Sequence, residues 1–311
     1  MINLKSLFLN NLQSNPKKKI VILGVNSFIG SNLVKFFKKN NVNFVGFYNN
    51  KKTRLKGIKN IRKLDLSNNS FTKFINNFQP DTIINFIGNS NNNDNNLKNH
   101  VSSNISVLTK ILLKLQNAKY KKYTLYGCST SLEFPSSKNK ILEISKREPT
   151  SIYALTKFIS HIMYLDWSLQ NKVKYTNLIF YNIVGDDFTK KDIISKMIDN
   201  FEEEIIIKYP KTIRDFTHIN DIVKILYLFF LKNNISHSPS INICSGRGHS
   251  IIKLYNLIKE HQIINLRNIK LRKNSKYEKT VGNNNKLLKI IGKFKFTKIE
   301  DVIKYKIKSK Y

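Results

Sequence analysis

Short aliphatic runs alternate with segments of helical period along this chain, and that alternation restricts its fold more than any other feature. The runs are KKKIVILG (17–24), NFVGFY (43–48), IRKLDL (61–66), DTIINFIG (81–88), KYTLYGCS (122–129) and YTNLIFYNIVG (175–185). KKKIVILG, a short aliphatic run closed by Gly24, reads as a buried strand; the others read as further strands, IRKLDL ending at Asp65 and YTNLIFYNIVG running into a loop. Between them lie FIGSNLVKFFKK (28–39), FTKFINNF (71–78), VSSNISVLTKILLKLQNA (101–118) and SIYALTKFISHIMYLDWSL (151–169), where apolar residues recur at helical spacing. Strands separated by helices imply an α/β fold with a doubly wound parallel sheet. NSNNNDNNLKN (89–99) reads as a polar loop with no reason to pack. After Gly185 the alternation becomes irregular, which suggests a smaller mixed α/β lobe.

Composition narrows the class. A chain of 311 residues, 41% hydrophobic, can fill one large domain or two that share a core. Its longest apolar stretch, ILYLFFL (225–231), falls far short of the roughly 18 residues of a membrane span. The first residues lack the apolar core and small-residue cleavage site of a secretory signal, and Cys128 and Cys244 have no metal-type spacing. Both features point to a reducing, cytoplasmic setting, although the acid-free amphipathic start leaves an organellar leader open. The net charge is +34, yet the lysines are scattered among asparagines and isoleucines rather than gathered into an aromatic-interleaved patch. That distribution argues against a nucleic-acid surface. No His/Cys/Asp/Glu cluster suggests a metal.

Two local patterns carry chemistry. ILGVNSFIG places Gly24, Ser27 and Gly30 where the first strand turns into the first helix. Such a turn brings backbone N–H groups and a helix N-terminus to a pyrophosphate, with Gly24 allowing the tight turn and Gly30 the close packing. The hydroxyl of Ser27 crowds that position but can also donate to a phosphate. SIYALTK places Tyr153 and Lys157 four residues apart, hence on one helical face. An ammonium fixed beside a phenol favours phenolate, which would tune Tyr153 for acid–base work.

With these motifs in order, the chain resembles the extended short-chain dehydrogenase/reductase family, NAD(P)-dependent epimerases, dehydratases and reductases of nucleotide sugars. PDTIINFIG (80–88), Asn104 in VSSNISVLTKILL, CSTSLEFP (128–135), FYNIVG (180–185), IRDFTHINDIVK (213–224) and INICSGRGHSI (241–251) are similar to successive family segments. The resemblance implies a Rossmann-type NAD(P)-binding domain at 17–178 after a preamble at 1–16. A substrate-binding lobe follows mainly at 179–311, with 214–245 returning to the first domain. It implies Tyr153 as the acid–base group, Lys157 lowering the phenol's pKa and holding the nicotinamide ribose, and Thr130 orienting the substrate oxygen. Ser129 and Ser131 flank Thr130 and, with Asn182 and Arg214, would contact the substrate, Arg214 holding the nucleotide diphosphate. The cofactor would lie along Gly24, Ser27, Phe28, Ile29 and Gly30, then Asn49 and Lys51, Asp65 and Leu66, Phe86, Ile87 and Gly88, Asn104, Tyr153 and Lys157. His161 and His218 are expected to serve structure. Relatives often pair through two helices, which implies a homodimer.

Departures from the pattern narrow the reaction. Family dehydratases follow the catalytic threonine with an Asp–Glu pair; here Ser131 and Leu132 follow, and Glu133 comes one position late. Ile179 replaces an arginine, and KTVGNN (279–284) replaces a basic-x-x-Asp segment. A 4-keto reductase and a 4-epimerase remain, with a catalytically silent RNA-binding or cofactor-sensing family member as a further alternative that the presence of Tyr153 and Lys157 argues against. The second strand ends GFYNNKKTR with no acid before Asp65, so Lys51, Lys52 and Arg54 stand where a 2′-phosphate would lie. An acid there would bind the ribose hydroxyls of NAD. NADP(H) is therefore favoured, with NAD(H) left open, and NADPH suits the reductase.

Overall fold

The computed structural model describes residues 18–49, 55, 57–185, 193–199, 205–207, 209–231, 239–261, 269–271 and 277–309. Lys51, Lys52, Arg54 and the 1–16 preamble lie outside the described residues. The strands are β1 (Ile20–Leu23), β2 (Phe44–Tyr48), β3 (Ile61–Lys63), β4 (Thr82–Asn85), β5 (Thr124–Thr130), β6 (Lys174–Phe180), β7 (Asn182–Val184), β8 (Ile205–Ile207), β9 (Ile213–His218), β10 (Ser240–Ile243), β11 (Gly248–Ser250), β12 (Ile269–Leu271) and β13 (Lys279–Thr280). The helices are α1 (Phe28–Lys39), α2 (Ser70–Phe78), α3 (Leu97–His100), α4 (Val107–Gln116), α5 (Ile152–Gln170), α6 (Ile193–Asp199), α7 (Ile219–Leu231), α8 (Ile251–His261), α9 (Asn285–Ile291) and α10 (Ile299–Lys308).

Seven strands form one parallel sheet in the order β10-β6-β5-β4-β1-β2-β3. Side chains of a strand alternate between faces, and β1 shows the consequence. Ile20 and Ile22 enter a core shared with α1, α7 and α9, while Val21 and Leu23 enter a second core shared with α2, α4 and α5. All four side chains of β1 are fully buried, as a strand covered on both faces requires. Strand order reverses at β1, between β2 and β4, so the sheet has the Rossmann arrangement with its crevice at the C-terminal ends of β1 and β4.

A second, four-stranded sheet comprises β7, β9, β11 and β13. Its core joins Val184, Phe216 and Ile251 to residues of α6, α8 and α10. Asp215, fully buried on β9, accepts hydrogen bonds from Ser245 N (3.0 Å), Ser245 Oγ (2.6 Å) and Gly246 N (2.9 Å) just beyond β10. This carboxylate therefore ties the second sheet to the end of the first. Among the described residues no helix is long and apolar enough to cross a membrane.

Two segments differ from the sequence reading. The strand in YTNLIFYNIVG ends at Phe180, and in place of the expected loop β7 starts at Asn182 in the other sheet, paired with β9. The asparagine run is also ordered. Asp94 accepts from Asn89 Nδ2 (3.0 Å), Asn96 N (2.9 Å) and Asn99 Nδ2 (3.2 Å), and Asn96 caps α3. Asn and Asp side chains can satisfy local backbone groups in this way without an apolar core.

Candidate active site

The glycine turn and the end of β4 are built against each other. Leu23 and Asn85 are register partners, so Gly24 meets the backbone that leaves β4. Gly24 has φ +87°, and a Cβ there would lie 2.7 Å from both Ile87 N and Phe86 C. Only glycine suits that position. Ser27 caps α1: its Oγ accepts from Gly30 N at 3.0 Å, leaving its own proton free to donate elsewhere. The crowding expected from a side chain at Ser27 is thus resolved by turning the hydroxyl onto the helix.

The side chains assigned to the dinucleotide divide by function in the fold. Phe28, Ile29 and Phe86 pack in or against the first core, and Leu66 and Ile87 pack against the second. Asn49 is half-buried at the end of β2. The Asp65 carboxylate accepts from Ser67 N (2.9 Å), Ser67 Oγ and Asn68 Nδ2 (both 2.6 Å), which pull its pKa below the ordinary value. It therefore organises its own turn.

Past β4, Gly88 meets both Asn104 and Lys157: a Cβ there would lie 2.5 Å from Asn104 Oδ1 and 3.8 Å from Lys157 Nζ. Asn104 sits in a π-helical turn, Val101–Ser106, between α3 and α4. Such turns displace a side chain from the regular helical path, often at functional sites. Its Oδ1 accepts from Asn89 N (2.8 Å), its Nδ2 donates to Thr156 Oγ1 (2.9 Å), and Ser160 Oγ donates to its carbonyl (3.0 Å). Asn104 thus pins the loop after β4 to α5.

Helix α5 is capped by Ser151, whose Oγ accepts from Ala154 N at 3.2 Å. Two residues later Tyr153 is half-buried, on the helix that packs against β5, whose last residue is Thr130. Of the three hydroxyls there, Thr130 Oγ1 accepts from Leu132 N (3.3 Å), Ser129 donates to Glu133, and Ser131 begins the following turn. The phenol's titration differs from the lowered value expected of an adjacent lysine. Burial first, then the Glu133 and Cys128 side chains, push Tyr153 up to about 12, with the Thr130 hydroxyl acting in the opposite direction. Burial also lowers Lys157, while Cys128 and Glu133 favour its charged form. The pair is a protonated phenol and a constrained amine on one helical face.

Further from these groups, Asn182 Nδ2 donates to Asp215 O (3.1 Å), and Arg214 donates to Thr280 Oγ1 and Glu278 Oε2, both at 3.0 Å. His161 stacks on Tyr175 and hydrogen-bonds its hydroxyl at 3.1 Å, a packed residue with its pKa held near 4 by burial and Arg147. His218 Nδ1 accepts from Asn220 N at 3.3 Å. Two organising groups escaped the sequence reading. Asn85 accepts from Ile87 N (2.9 Å) and donates to Tyr164 OH (2.7 Å), fixing the exit from β4; a lone asparagine ending an aliphatic run was its only signal. The other is Arg147, paired with Glu133.

The described geometry has known counterparts. The NAD dependent epimerase/dehydratase family model matches residues 20–244. GDP-6-deoxy-D-talose 4-dehydrogenase of Aggregatibacter actinomycetemcomitans is 22% identical, over 94% of this chain and 98% of that protein. ADP-L-glycero-D-manno-heptose-6-epimerase of Brachyspira hyodysenteriae is 24% identical, over 78% of this chain and 80% of that protein. MoeE5, solved in complex with UDP-glucuronic acid and NAD, shares the fold with a TM-score of 0.79 at 17% identity, over 92% of this chain and 96% of that one.

Proposed function

The chain belongs to the NAD dependent epimerase/dehydratase family and is an enzyme, and from that premise we propose that it reduces the 4-keto group of a nucleotide-activated sugar with NADPH. The observation that carries this reading is the packing of α5, with Tyr153 and Lys157 on one face, against β5, which ends at Thr130, with Lys157 beside Gly88. A phenol that keeps its proton at neutral pH is an acid, ready to protonate an alkoxide forming at the sugar oxygen. Thr130 would orient that oxygen. The first relative supports the assignment, since its name places its chemistry at sugar C4.

The crevice suits a dinucleotide: the turn at Gly24 has no room for a side chain, and Ser27 and the α1 N-terminus offer donors. When bound, the reduced nicotinamide supplies the hydride. Lys157, beside Gly88, would hold its ribose, and Asn104 would keep the loop after β4 in place. Arg214 would hold the nucleotide diphosphate, its fork fixed by Thr280 and Glu278. Ser129, Ser131 and Asn182 complete the proposed substrate contacts.

NADPH is preferred because the chain has no acid between Tyr48 and Asp65, and Asp65 is engaged in its own turn. Lys51 would add a charge-assisted contact to a 2′-phosphate. Fluorescence titration with both reduced cofactors tests this. NADPH is expected to bind at least roughly tenfold tighter, a difference of about 1.4 kcal/mol. Tighter NADH binding, or NAD⁺ retained through purification, would favour a 4-epimerase that recycles its own hydride.

The functional unit is proposed to be a homodimer. Leu155, Ile159, Ile162 and Leu169 expose one stripe of α5, and Leu97, Val101 and Leu113 are exposed on the neighbouring helical segments. A monomer rarely leaves so continuous an apolar face in water. Ile159→Lys with Ile162→Lys is expected to shift the protein from dimer to monomer in light scattering at micromolar concentration. A wild-type monomer under those conditions, cofactor present, would remove the dimer.

A further inference from the structure

Glu133 is fully buried, and its carboxylate collects two donors: the Ser129 hydroxyl and the Arg147 guanidinium. Ser129 and Thr130 end β5. Arg147 comes from the long connection before α5, and its side chain is only 10% exposed. Its guanidinium lies over the rings of Phe134 (5.2 Å) and Phe158 (5.5 Å), and its Nη2 donates to Ser240 Oγ on β10 at 3.2 Å. Phe158 directly follows Lys157 in α5. One ion pair therefore touches the strand end that carries Thr130, the helix that carries Tyr153 and Lys157, and the edge strand of the sheet.

Burying two charges is expensive, and apolar residues of similar volume would serve stability as well. What apolar residues cannot supply is direction. A carboxylate fixes a hydroxyl by its angle, and the guanidinium fixes the carboxylate on one side and Ser240 on the other. Around Thr130 and Tyr153, small displacements matter, because proton transfer needs the donor within hydrogen-bond reach of the acceptor.

We propose that the Glu133–Arg147 pair is a positioning element of the reaction, holding the end of β5 in register with α5 so that Thr130 and Tyr153 meet the same substrate oxygen. The proposal rests on the functional reading above. Glu133→Gln keeps the shape and removes the charge; Glu133→Leu with Arg147→Met removes the pair while leaving an apolar core. Both are compared with wild type in kcat, KM and thermal unfolding, with Tyr153→Phe measured alongside. Positioning predicts kcat at least about tenfold lower in both variants with KM little changed, even where the double variant unfolds at the wild-type temperature. A double variant, or a folded Glu133→Gln, with wild-type kcat would overturn the proposal and leave the pair a packing device. Wild-type turnover that Tyr153→Phe does not reduce would instead overturn the functional reading on which the proposal rests.

Discussion

Replacing Tyr153 with phenylalanine is expected to lower turnover about 10²–10⁴-fold, the contribution of a positioned general acid, while fold and cofactor affinity stay near wild type. The ring of Phe fills the same half-buried site and removes only the phenol oxygen. Loss of an interaction made in the transition state should appear in kcat and kcat/KM together, with KM little changed. Lys157→Ala should differ in kind. Lys157 stands beside Gly88 in the crevice, so its removal is expected to weaken dinucleotide binding as well as turnover. Steady-state kinetics with cofactor titration separates the two patterns. Near wild-type turnover of Tyr153→Phe would exclude the mechanism.

Gly24→Val is expected to remove dinucleotide binding and to destabilise the protein. A β-branched residue at φ +87° costs about 1–3 kcal/mol in strain alone. Its Cβ would also meet Ile87 N and Phe86 C at 2.7 Å, and these are backbone atoms that cannot swing aside. Phe86 N donates to Leu23 O at 2.8 Å, so relief of the clash must open the β1–β4 pairing at the crevice itself. A loss of about 2 kcal/mol would lower Tm by roughly 4–8 °C in a domain of this size class. Thermal unfolding and fluorescence titration measure the two effects. Unchanged affinity for NADPH and NADH would mean that the phosphates bind elsewhere.

How much the sequence revealed depended on how local the cause was. The parallel sheet was legible because strands buried on both faces are chiefly aliphatic, as β1 is throughout and β4 is at Ile83 and Ile84. The glycine turn was legible because a tight turn and a close approach both demand glycine at fixed spacing. The break at Tyr181 was not, since neither glycine nor proline marks it; the chain changes sheets because β9 offers a partner to β7. The asparagine run looked structureless because its order comes from side-chain hydrogen bonds around Asp94 rather than from apolar burial. Tyr153 and Lys157 were found by spacing, but the direction of the phenol's shift was not. That sign depends on burial and on Glu133, which the fold brings beside it. Arg147 lies 14 positions from Glu133, and nothing local announces that the pair closes under the site.

Hydride tracing tests the central claim most directly. The protein is incubated with NADPH carrying deuterium at the transferable position, in parallel with nucleotide-linked 4-keto sugars and with nucleotide-linked 4-hydroxy sugars, and the products are examined by mass spectrometry. The account predicts a reduced sugar nucleotide carrying the deuterium, formed by wild type and strongly diminished with Tyr153→Phe. An epimerised sugar nucleotide without deuterium, formed on a tightly held NAD, would contradict the reductase assignment.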